Sequence, residues 1–262
     1  MPRSSYYYHI KQLDKPDKYA EVKQEIREIY EENKGRMGYR RITILLHKKG
    51  RIINHKTVYR LMKAMGLFCR VRMKKNHPYR GQSEDEAVQN LLNRKFTAYS
   101  PNEKWVTDVT EFHLFGEKLY LSVILDLYNQ EIVTYTLSRN RDFSFVVEML
   151  EKAFQLLPDS AAPILHSDQG WQYRMKPYQM MLKARGIQQS MSRRGNCLDN
   201  AVVENFFGHL KCELLYLRQF QSMQHFKQQL VQYIHYYNNL RIKEKLNGMA
   251  PVPFRIHTIQ SA

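Results

Sequence analysis

The sequence predicts an α/β fold, a mixed five-stranded sheet with flanking helices, preceded by a small all-α helix-turn-helix domain. Two observations support this prediction. After residue 100, patterns typical of strands and of helices follow one another as three strands, helix, strand, helix, strand and helix. Before residue 70, only helical spacing occurs, and that region is strongly basic. An order of this kind is typical of a sheet with both parallel and antiparallel neighbours.

The positive charge is concentrated near the N-terminus. The 262 residues carry a net charge of +16, and residues 1–99 hold 23 Lys and Arg against 10 Asp and Glu. The stretch Lys34–Arg80 has 15 basic residues and no acidic one. Solvated helices usually alternate the sign of their charges, so a polyanionic partner is favoured over a merely basic surface.

The first helices have the spacing of a helix-turn-helix. A helix over 21–30 ends at two glycines, a second covers 39–49, and Asn54 is expected to cap a third that ends before Gly66. In such a motif the last helix enters the major groove. An ordinary helical hairpin is the alternative, but a hairpin does not need this charge. The expected DNA contacts are Arg40, Arg41, His55, Lys56, Thr57, Tyr59, Arg60 and Lys63.

The remaining elements follow in order along the chain. Residues 71–100 are expected to form a linker with one short helix. Strands are predicted at 105–114, 119–127, 131–137, 163–166 and 187–191, and helices at 143–157, 177–184, 201–215 and 223–240. Tyrosines on the last helix could pack or stack on bases. The predicted domains are an N-terminal helical arm (1–33), the helix-turn-helix (34–70), the linker (71–100), a catalytic core (101–220), and a C-terminal helix with a basic, proline-bearing tail (221–262).

Three acidic residues are candidates for metal-dependent chemistry. Asp108 lies inside the first strand, Asp168 follows the fourth, and Glu204 lies one turn into the helix after a polar loop. A carboxylate among apolar strand residues is unfavourable unless it is paired or bound to metal. Two-metal phosphodiester chemistry needs carboxylates that converge from different elements, and oxygen ligands suit Mg²⁺ or Mn²⁺ rather than zinc. Alternatively, the three acids cap helices and pair with lysines.

The spacing and context of these acids resemble a known group. Thirty-five residues separate Asp168 from Glu204, as in the DDE polynucleotidyl transferases, which include retroviral integrases and many transposases. The surrounding segments look like those of second-reading-frame (OrfB) insertion-sequence transposases: Trp105-Val106-Thr107-Asp108-Val109-Thr110, His166-Ser167-Asp168-Gln169-Gly170-Trp171-Gln172-Tyr173 and Gly195-Asn196-Cys197-Leu198-Asp199-Asn200-Ala201-Val202-Val203-Glu204. The segments Gly38–Ile42 and Asn54–Met62 are similar to the helix-turn-helix region of that family.

This resemblance implies a fold, an activity and a set of partners. The catalytic core would be ribonuclease-H-like, with Mg²⁺ as the physiological metal, Mn²⁺ as a substitute and two ions in each active site. Asp108 would bridge both ions, and Lys211, seven residues after Glu204, would contact the DNA end. The reaction would be strand cleavage and transfer of a DNA 3′-hydroxyl to a target phosphate. DNA, an upstream-frame protein and further copies of the chain would be the partners.

Three further residues are expected to support the triad. His166, two residues before Asp168, is expected to hold a hydrogen-bonded position behind the site, although it could approach the scissile phosphate. Asp199 and Asn200 directly precede the helix that carries Glu204, so we expect them to cap its free N–H groups and to position Glu204 indirectly.

Other interpretations of the sequence remain open. The chain could be a DNA-binding regulator with an inactive integrase-like domain, or a nuclease that only hydrolyses DNA. Retroviral integrase itself is disfavoured because residues 1–68 contain no cysteine for its zinc module. No apolar run is long enough to span a bilayer, so the expected location is the cytoplasm, without membrane contact.

Overall fold

A computed structural model describes residues 2, 3, 7, 17–69, 88–193 and 196–260. By its contacts the chain divides into two compact units, residues 1–70 and 71–262. The predicted linker up to residue 87 lies outside the described residues, as does most of the predicted arm before residue 17. The predicted boundary between residues 33 and 34 falls within the first compact unit, and that between 220 and 221 falls within the second.

Among the described residues of the first unit, three helices after residue 17 contribute buried apolar residues to a common core. They are α1 (Ala20–Glu32), α2 (Tyr39–Lys48) and α3 (His55–Ala64). Asn54 caps α3 as predicted, since its side chain accepts a hydrogen bond from the backbone N of Lys56 at 2.8 Å. Arg51, between α2 and α3, donates to Glu21 at 2.9 Å and to Glu25 at 2.8 Å. Because both acids are on α1, these ion pairs fasten the first helix to the turn between the other two.

Five strands form one mixed sheet in the second unit, as the sequence predicts. They are β1 (Lys104–Leu114), β2 (Glu117–Asp126), β3 (Ile132–Ser138), β4 (Ile164–Ser167) and β5 (Gln188–Met191). Their order in the sheet is β3-β2-β1-β4-β5. Strand β2 is antiparallel to both β1 and β3, whereas β4 is parallel to both β1 and β5. The long β1 therefore lies at the centre, between the two hairpin-connected strands and the two shorter parallel strands.

Helices cover both faces of this sheet. They are α4 (Phe143–Leu156), α5 (Lys176–Ala184), α6 (Ala201–Leu210), α7 (Met223–Asn239) and α8 (Pro251–Gln260). Single 3₁₀ turns occur at Trp171–Arg174, Cys197–Asn200 and Glu244–Leu246, and α6 continues as a π-helix over Lys211–Leu215. None of the helices in the described ranges combines the length and the apolar character that crossing a membrane requires.

Alternation along β1 divides the core into two layers. Val106 and Phe112 pack with apolar residues of α6 and α7 on one face of the sheet. Trp105, on the opposite face, packs with α4 and α5. Because successive strand residues point to opposite faces, Asp108 belongs to the face that α6 covers.

The C-terminal part of the chain is more buried than the sequence suggests. Tyr233, Tyr236 and Tyr237 of α7 are buried in the core, which confirms packing over base stacking for these rings. Where we predicted a proline-bearing tail, the structure has helix α8. Pro251 and Pro253 lie in its first turn, where a missing N–H removes no intrahelical hydrogen bond.

Arg241, which the sequence places in a basic tail, is also an internal residue. Its side chain is buried against Glu213, with Nε–Oε2 and Nη2–Oε1 distances of 2.9 and 2.8 Å. The Tyr233 hydroxyl donates to the same carboxylate at 3.1 Å. This ion pair fastens the chain after α7 to the π-helix, and each charge depends on the other for its neutralisation.

We predict that Arg241→Met will destabilise the protein strongly, because it leaves the Glu213 carboxylate buried without its cation. Breaking such a pair typically lowers the free energy of unfolding by about 3–5 kcal/mol. Urea denaturation should show this loss. The double variant Glu213→Leu/Arg241→Met should recover much of it. Equal stability of Arg241→Met and wild type would contradict a structural role for the pair.

Candidate active site

Asp108 and Asp168 occupy matching positions on neighbouring parallel strands. Val106 of β1 is paired with His166 of β4. If the same register is continued by two residues along each strand, Asp108 lies beside Asp168, which directly follows the last residue of β4. Adjacent strands are about 4.8 Å apart. The sheet therefore brings together two carboxylates that are sixty positions apart in the sequence.

Burial makes both of these carboxylates hard to ionise, and repulsion from neighbouring acids adds to this effect at Asp108. Burial, and next the negative charge of Asp168, raises the pKa of Asp108 to about 7. The charge of Glu204 adds to this rise, although the backbone N of Val109 donates to Asp108 Oδ1 at 2.7 Å. Burial also raises the pKa of Asp168, whose Oδ1 accepts a hydrogen bond from Gly170 N at 2.9 Å. The pair thus forms a site at which a cation would relieve unfavourable negative charge.

Glu204 reaches the same region from the helix above the sheet. It lies in the first turn of α6, whose buried residues Val203 and Phe206 pack on the face of β1 that holds Asp108. The Glu204 side chain is exposed. Within the described ranges, no three His, Cys, Asp or Glu side chains are gathered closely enough to hold a metal ion. The three acids are therefore electrostatic neighbours, but their oxygens do not yet meet at one point.

The residues before α6 do not cap it, so that prediction is wrong. Neither Asp199 nor Asn200 makes a side-chain hydrogen bond to the helix N-terminus. The Asn200 side chain instead donates from Nδ2 to the carbonyl oxygen of Thr107 at 3.2 Å. Because Thr107 precedes Asp108, this bond joins the start of α6 directly to the strand that carries the first carboxylate.

Asp199 is a fully buried anion held between two arginines. Arg193 donates to Oδ2 from Nε and to Oδ1 from Nη2, both at 2.9 Å, and Arg94 donates to Oδ1 from Nε at 2.8 Å. Asn90 adds a hydrogen bond to Oδ2 at 3.0 Å. The hydrogen bonds from Arg193, followed by those from Arg94, hold the pKa of Asp199 well below its usual range. Asp199 thereby ties the end of the β5–α6 loop to the segment that precedes β1.

His166 is a buried, hydrogen-bonded residue next to the site. Its Nδ1 lies 2.8 Å from Ser190 Oγ, and its Nε2 lies 3.1 Å from Ser192 Oγ. Burial lowers the pKa of His166 to about 4, so the ring is neutral near pH 7. Ser190 accepts from the backbone N of Leu91, and Ser192 donates to the carbonyl of Ser167. In this arrangement Nδ1 accepts from the Ser190 hydroxyl and Nε2 donates to Ser192 Oγ. The neutral ring therefore carries its proton on Nε2.

Arg141 is a residue near the site that sequence reasoning missed. It lies exposed between β3 and α4, and its positive charge acts to lower the pKa of both Asp108 and Asp168. Strand β3 is antiparallel to β2, as β1 is, so the ends of β3 and β1 point the same way. The sequence carries no local signal for this proximity, because it depends on the order of three strands.

Lys211 lies on the same face of the sheet as Asp108 but further along β1. Its Nζ is 5.9 Å from the centre of the Phe112 ring. Phe112 is four positions after Asp108 on β1, a distance of roughly 13 Å. The ammonium group is thus displaced along the strand from the carboxylates rather than placed among them. It stands at the start of the π-helix, a distortion often found at functional sites.

The predicted DNA-binding residues of α3 share one exposed face. The side chains of His55, Lys56, Tyr59, Arg60 and Lys63 are exposed, and Thr57 is half-buried. The opposite face of α3 is buried through Val58, Leu61 and Met62.

The two arginines predicted on α2 differ in their environment. Arg40 is exposed, with Nε 3.2 Å from the Tyr39 hydroxyl. Arg41 is half-buried and donates to the carbonyl of Arg36. The surface open to a ligand is therefore formed by Arg40 and the outer face of α3.

Comparison with known families agrees with these two units. Residues 17–75 match the HTH-like domain family. Two stretches match integrase core domain families, residues 98–197 and residues 204–259. The five-stranded mixed sheet with its flanking helices is therefore the ribonuclease-H-like core that the sequence predicts.

Several known proteins that are similar to this chain over most of its length are named as transposases. A protein named as transposase InsK of insertion sequence IS150 from Escherichia coli is 54% identical over 98% of this chain and 91% of its own length. The transposase of IS904 from Lactococcus lactis is 34% identical over 89% of this chain and 92% of its own length. The magnesium-bound HTLV-2 integrase core domain superimposes with a TM-score of 0.49 at 19% identity, over 60% of this chain and 98% of that one. From the first two relatives, the chain belongs to the family of insertion-sequence transposases, with an HTH-like DNA-binding domain and an integrase core.

Proposed function

We propose that the chain is the catalytic protein of its insertion sequence and that it cleaves DNA strands and transfers them to a target duplex. The observation that carries this proposal is the register match of Asp108 and Asp168, with Glu204 on the helix above them. Three carboxylates from three different elements are the arrangement that divalent-metal phosphodiester chemistry requires. We assign catalysis to residues 101–220, DNA binding to 34–70 and the connection between them to 71–100.

Asp108, Asp168 and Glu204 are the proposed ligands of two divalent ions, Mg²⁺ with Mn²⁺ as a substitute. Their donor set fits, because carboxylate oxygens prefer these hard cations. Bound ions would activate water or a DNA 3′-hydroxyl and stabilise the leaving oxygen. Asp108, at the centre, would contact both ions. Glu204, whose side chain is exposed, would swing inward to complete the site.

Buried polar residues hold the three ligands in place. Asn200 fixes the start of α6 to β1, and Asp199 fixes the loop before it through Arg193 and Arg94. His166 joins β4 to β5 behind Asp168. We propose that these residues keep Glu204 over the two aspartates, so their substitution would affect ligand geometry rather than remove a ligand.

Basic side chains would hold the DNA around the carboxylates. Lys211 lies near the Phe112 ring, and Phe112 is roughly 13 Å along β1 from Asp108. That length corresponds to about four nucleotides of one DNA strand at roughly 3.4 Å each. Arg141, which no other described residue pairs with, lies close enough to Asp108 and Asp168 to offset charge on a reacting phosphate. The outer face of α3 would bind the element ends. An upstream-frame protein and further copies of this chain are the proposed protein partners, and DNA in the cytoplasm is the proposed location of the reaction.

Glu204→Gln tests the catalytic assignment. It keeps the size of the side chain but removes a metal-binding charge, so we expect joining of labelled element ends to a target duplex to fall about a thousandfold. Duplex binding should persist. Glu151→Gln, an exposed substitution on α4, is the matched control and should join at the wild-type rate.

Three other outcomes would separate the alternatives. Metal-dependent cleavage without joined products in every variant would favour a hydrolytic nuclease. DNA binding with neither cleavage nor joining by the wild type would favour a regulator with an inactive core. Normal joining by Glu204→Gln would remove Glu204 from the ligand set.

Asp108→Asn tests the electrostatic strain at the site. Because its pKa is raised from near 4 to about 7, ionisation of Asp108 lowers stability as pH rises through that window. In EDTA, the variant should therefore melt above wild type at pH 8 and like it at pH 4. Each kcal/mol of relieved strain corresponds to roughly 2–4 °C. Added Mg²⁺ at pH 8 should raise the melting temperature of the wild type only.

The opposite pattern would contradict this assignment. A melting-temperature difference between Asp108→Asn and wild type that stays constant from pH 4 to pH 8 would show that Asp108 does not titrate in that range. Equal stabilisation of both proteins by Mg²⁺ would place the binding of the ion elsewhere.

Lys56→Ala and Arg60→Ala test the DNA-binding face of α3. Each should weaken duplex binding and reduce the slope of log affinity against log salt by about 1, because one phosphate contact is lost. Arg27→Ala removes an exposed charge from α1 and is the control. Filter binding at several salt concentrations would measure the slope. Identical slopes for all four proteins would exclude this face from the interface.

A further inference from the structure

A large apolar side chain is exposed on the turn that carries Asp168. Trp171 begins the 3₁₀ turn Trp171–Arg174, three residues after Asp168, and 47% of its surface is exposed. The next two residues, Gln172 and Tyr173, are buried. Because its neighbours anchor the turn in the core, Trp171 is presented to solvent from a fixed backbone.

The same hydrogen bonds set the positions of Asp168 and Trp171. Gly170 N donates to Asp168 Oδ1 at 2.9 Å, and Tyr173 N donates to Gly170 O at 3.1 Å. A Cβ atom on Gly170 would come within 2.9 Å of that carboxylate oxygen and 2.8 Å of Gln172 Nε2. Both distances are too short for carbon, so the turn requires glycine. The backbone positions of Asp168 and Trp171 are therefore fixed relative to each other.

The surroundings of Trp171 favour a polyanionic partner that has flat rings. In the part of the chain that the structure describes, no aromatic ring stacks on Trp171 and no Lys or Arg side chain lies over it. Arg174 and Lys176 follow it within five residues, and both are exposed. A strand of DNA supplies both phosphates for these cations and bases for the indole. Stacking of a base on an aromatic side chain is favourable for any of the four bases.

We propose that Trp171 stacks on a nucleobase of the DNA strand that reacts at Asp168, and so holds that strand end in the active site. This inference rests on the proposed function. It adds a binding subsite for one unpaired base beside the carboxylates. Stacking needs no hydrogen-bonding pattern, so the subsite would hold the end without reading its sequence.

Tryptophan fluorescence can detect this contact directly, because the chain has only two tryptophans. Trp105 is fully buried, so quenching by acrylamide reports mainly on Trp171. The probe is a duplex with the sequence of an element end and a short unpaired 3′ strand. Bound in Ca²⁺ to block reaction, it should reduce acrylamide quenching of the wild type several-fold. Trp171→Phe, which retains only Trp105, supplies the background.

Joining assays give the functional test. Trp171→Ala should lower the rate of joining on the order of tenfold, as expected for the loss of one stacked base, whereas Trp171→Phe should retain most of it. Duplex binding through α3 and the melting temperature should stay as in the wild type. Met180→Ala, an exposed apolar substitution on α5, is the control and should join normally.

Two results would overturn the proposal. One is unchanged acrylamide quenching on DNA binding together with wild-type joining by Trp171→Ala. The other is a loss of joining that Trp171→Phe does not rescue and that a lower melting temperature accompanies, which would make the ring structural. Failure of the proposed function is distinguishable, since it would appear as absent joining by the wild type while the quenching experiment still reports the DNA contact.

Discussion

The placement of two carboxylates on adjacent parallel strands is the constraint on which the site depends. Asp108 and Asp168 are brought together by the β1–β4 register. Burial raises the pKa of both, and the negative charge of Asp168 raises that of Asp108 further. A folded chain that keeps such a pair gives up stability at neutral pH. A divalent cation bound by both carboxylates would neutralise their negative charges and recover that stability. This is the basis of the proposed divalent-metal site.

Polar contacts around the two aspartates limit how far the backbone at Glu204, the third proposed ligand, can move. Asn200 bonds to the strand that carries Asp108, and Asp199 is held between Arg94 and Arg193. The start of α6 is thus fixed from two sides, while the Glu204 side chain remains exposed. A fixed backbone with one adjustable carboxylate would allow the proposed metal site to close without movement of the sheet.

How much the sequence predicts depends on the range of the interactions. Local patterns predicted the five strands and the Asn54 cap, and motif spacing drew attention to the three acids. Interactions between distant residues were not predictable in this way. Asp199 was expected to cap α6, but its partner Arg94 lies 105 positions away. Arg241, which falls in the predicted basic tail, pairs with Glu213 in the core. Such pairings depend on the three-dimensional fold rather than on neighbouring residues.

Anomalous diffraction from crystals of the DNA-bound protein soaked in Mn²⁺ tests the central claim most directly. We expect two manganese peaks about 3.5–4 Å apart, both within ligand distance of Asp108, with Asp168 beside one and Glu204 beside the other. Crystals of Glu204→Gln should lose or weaken one peak. Saturating Mn²⁺ that gives no peak at these carboxylates, or ions bound only at other acids, would contradict the assignment of a two-metal site.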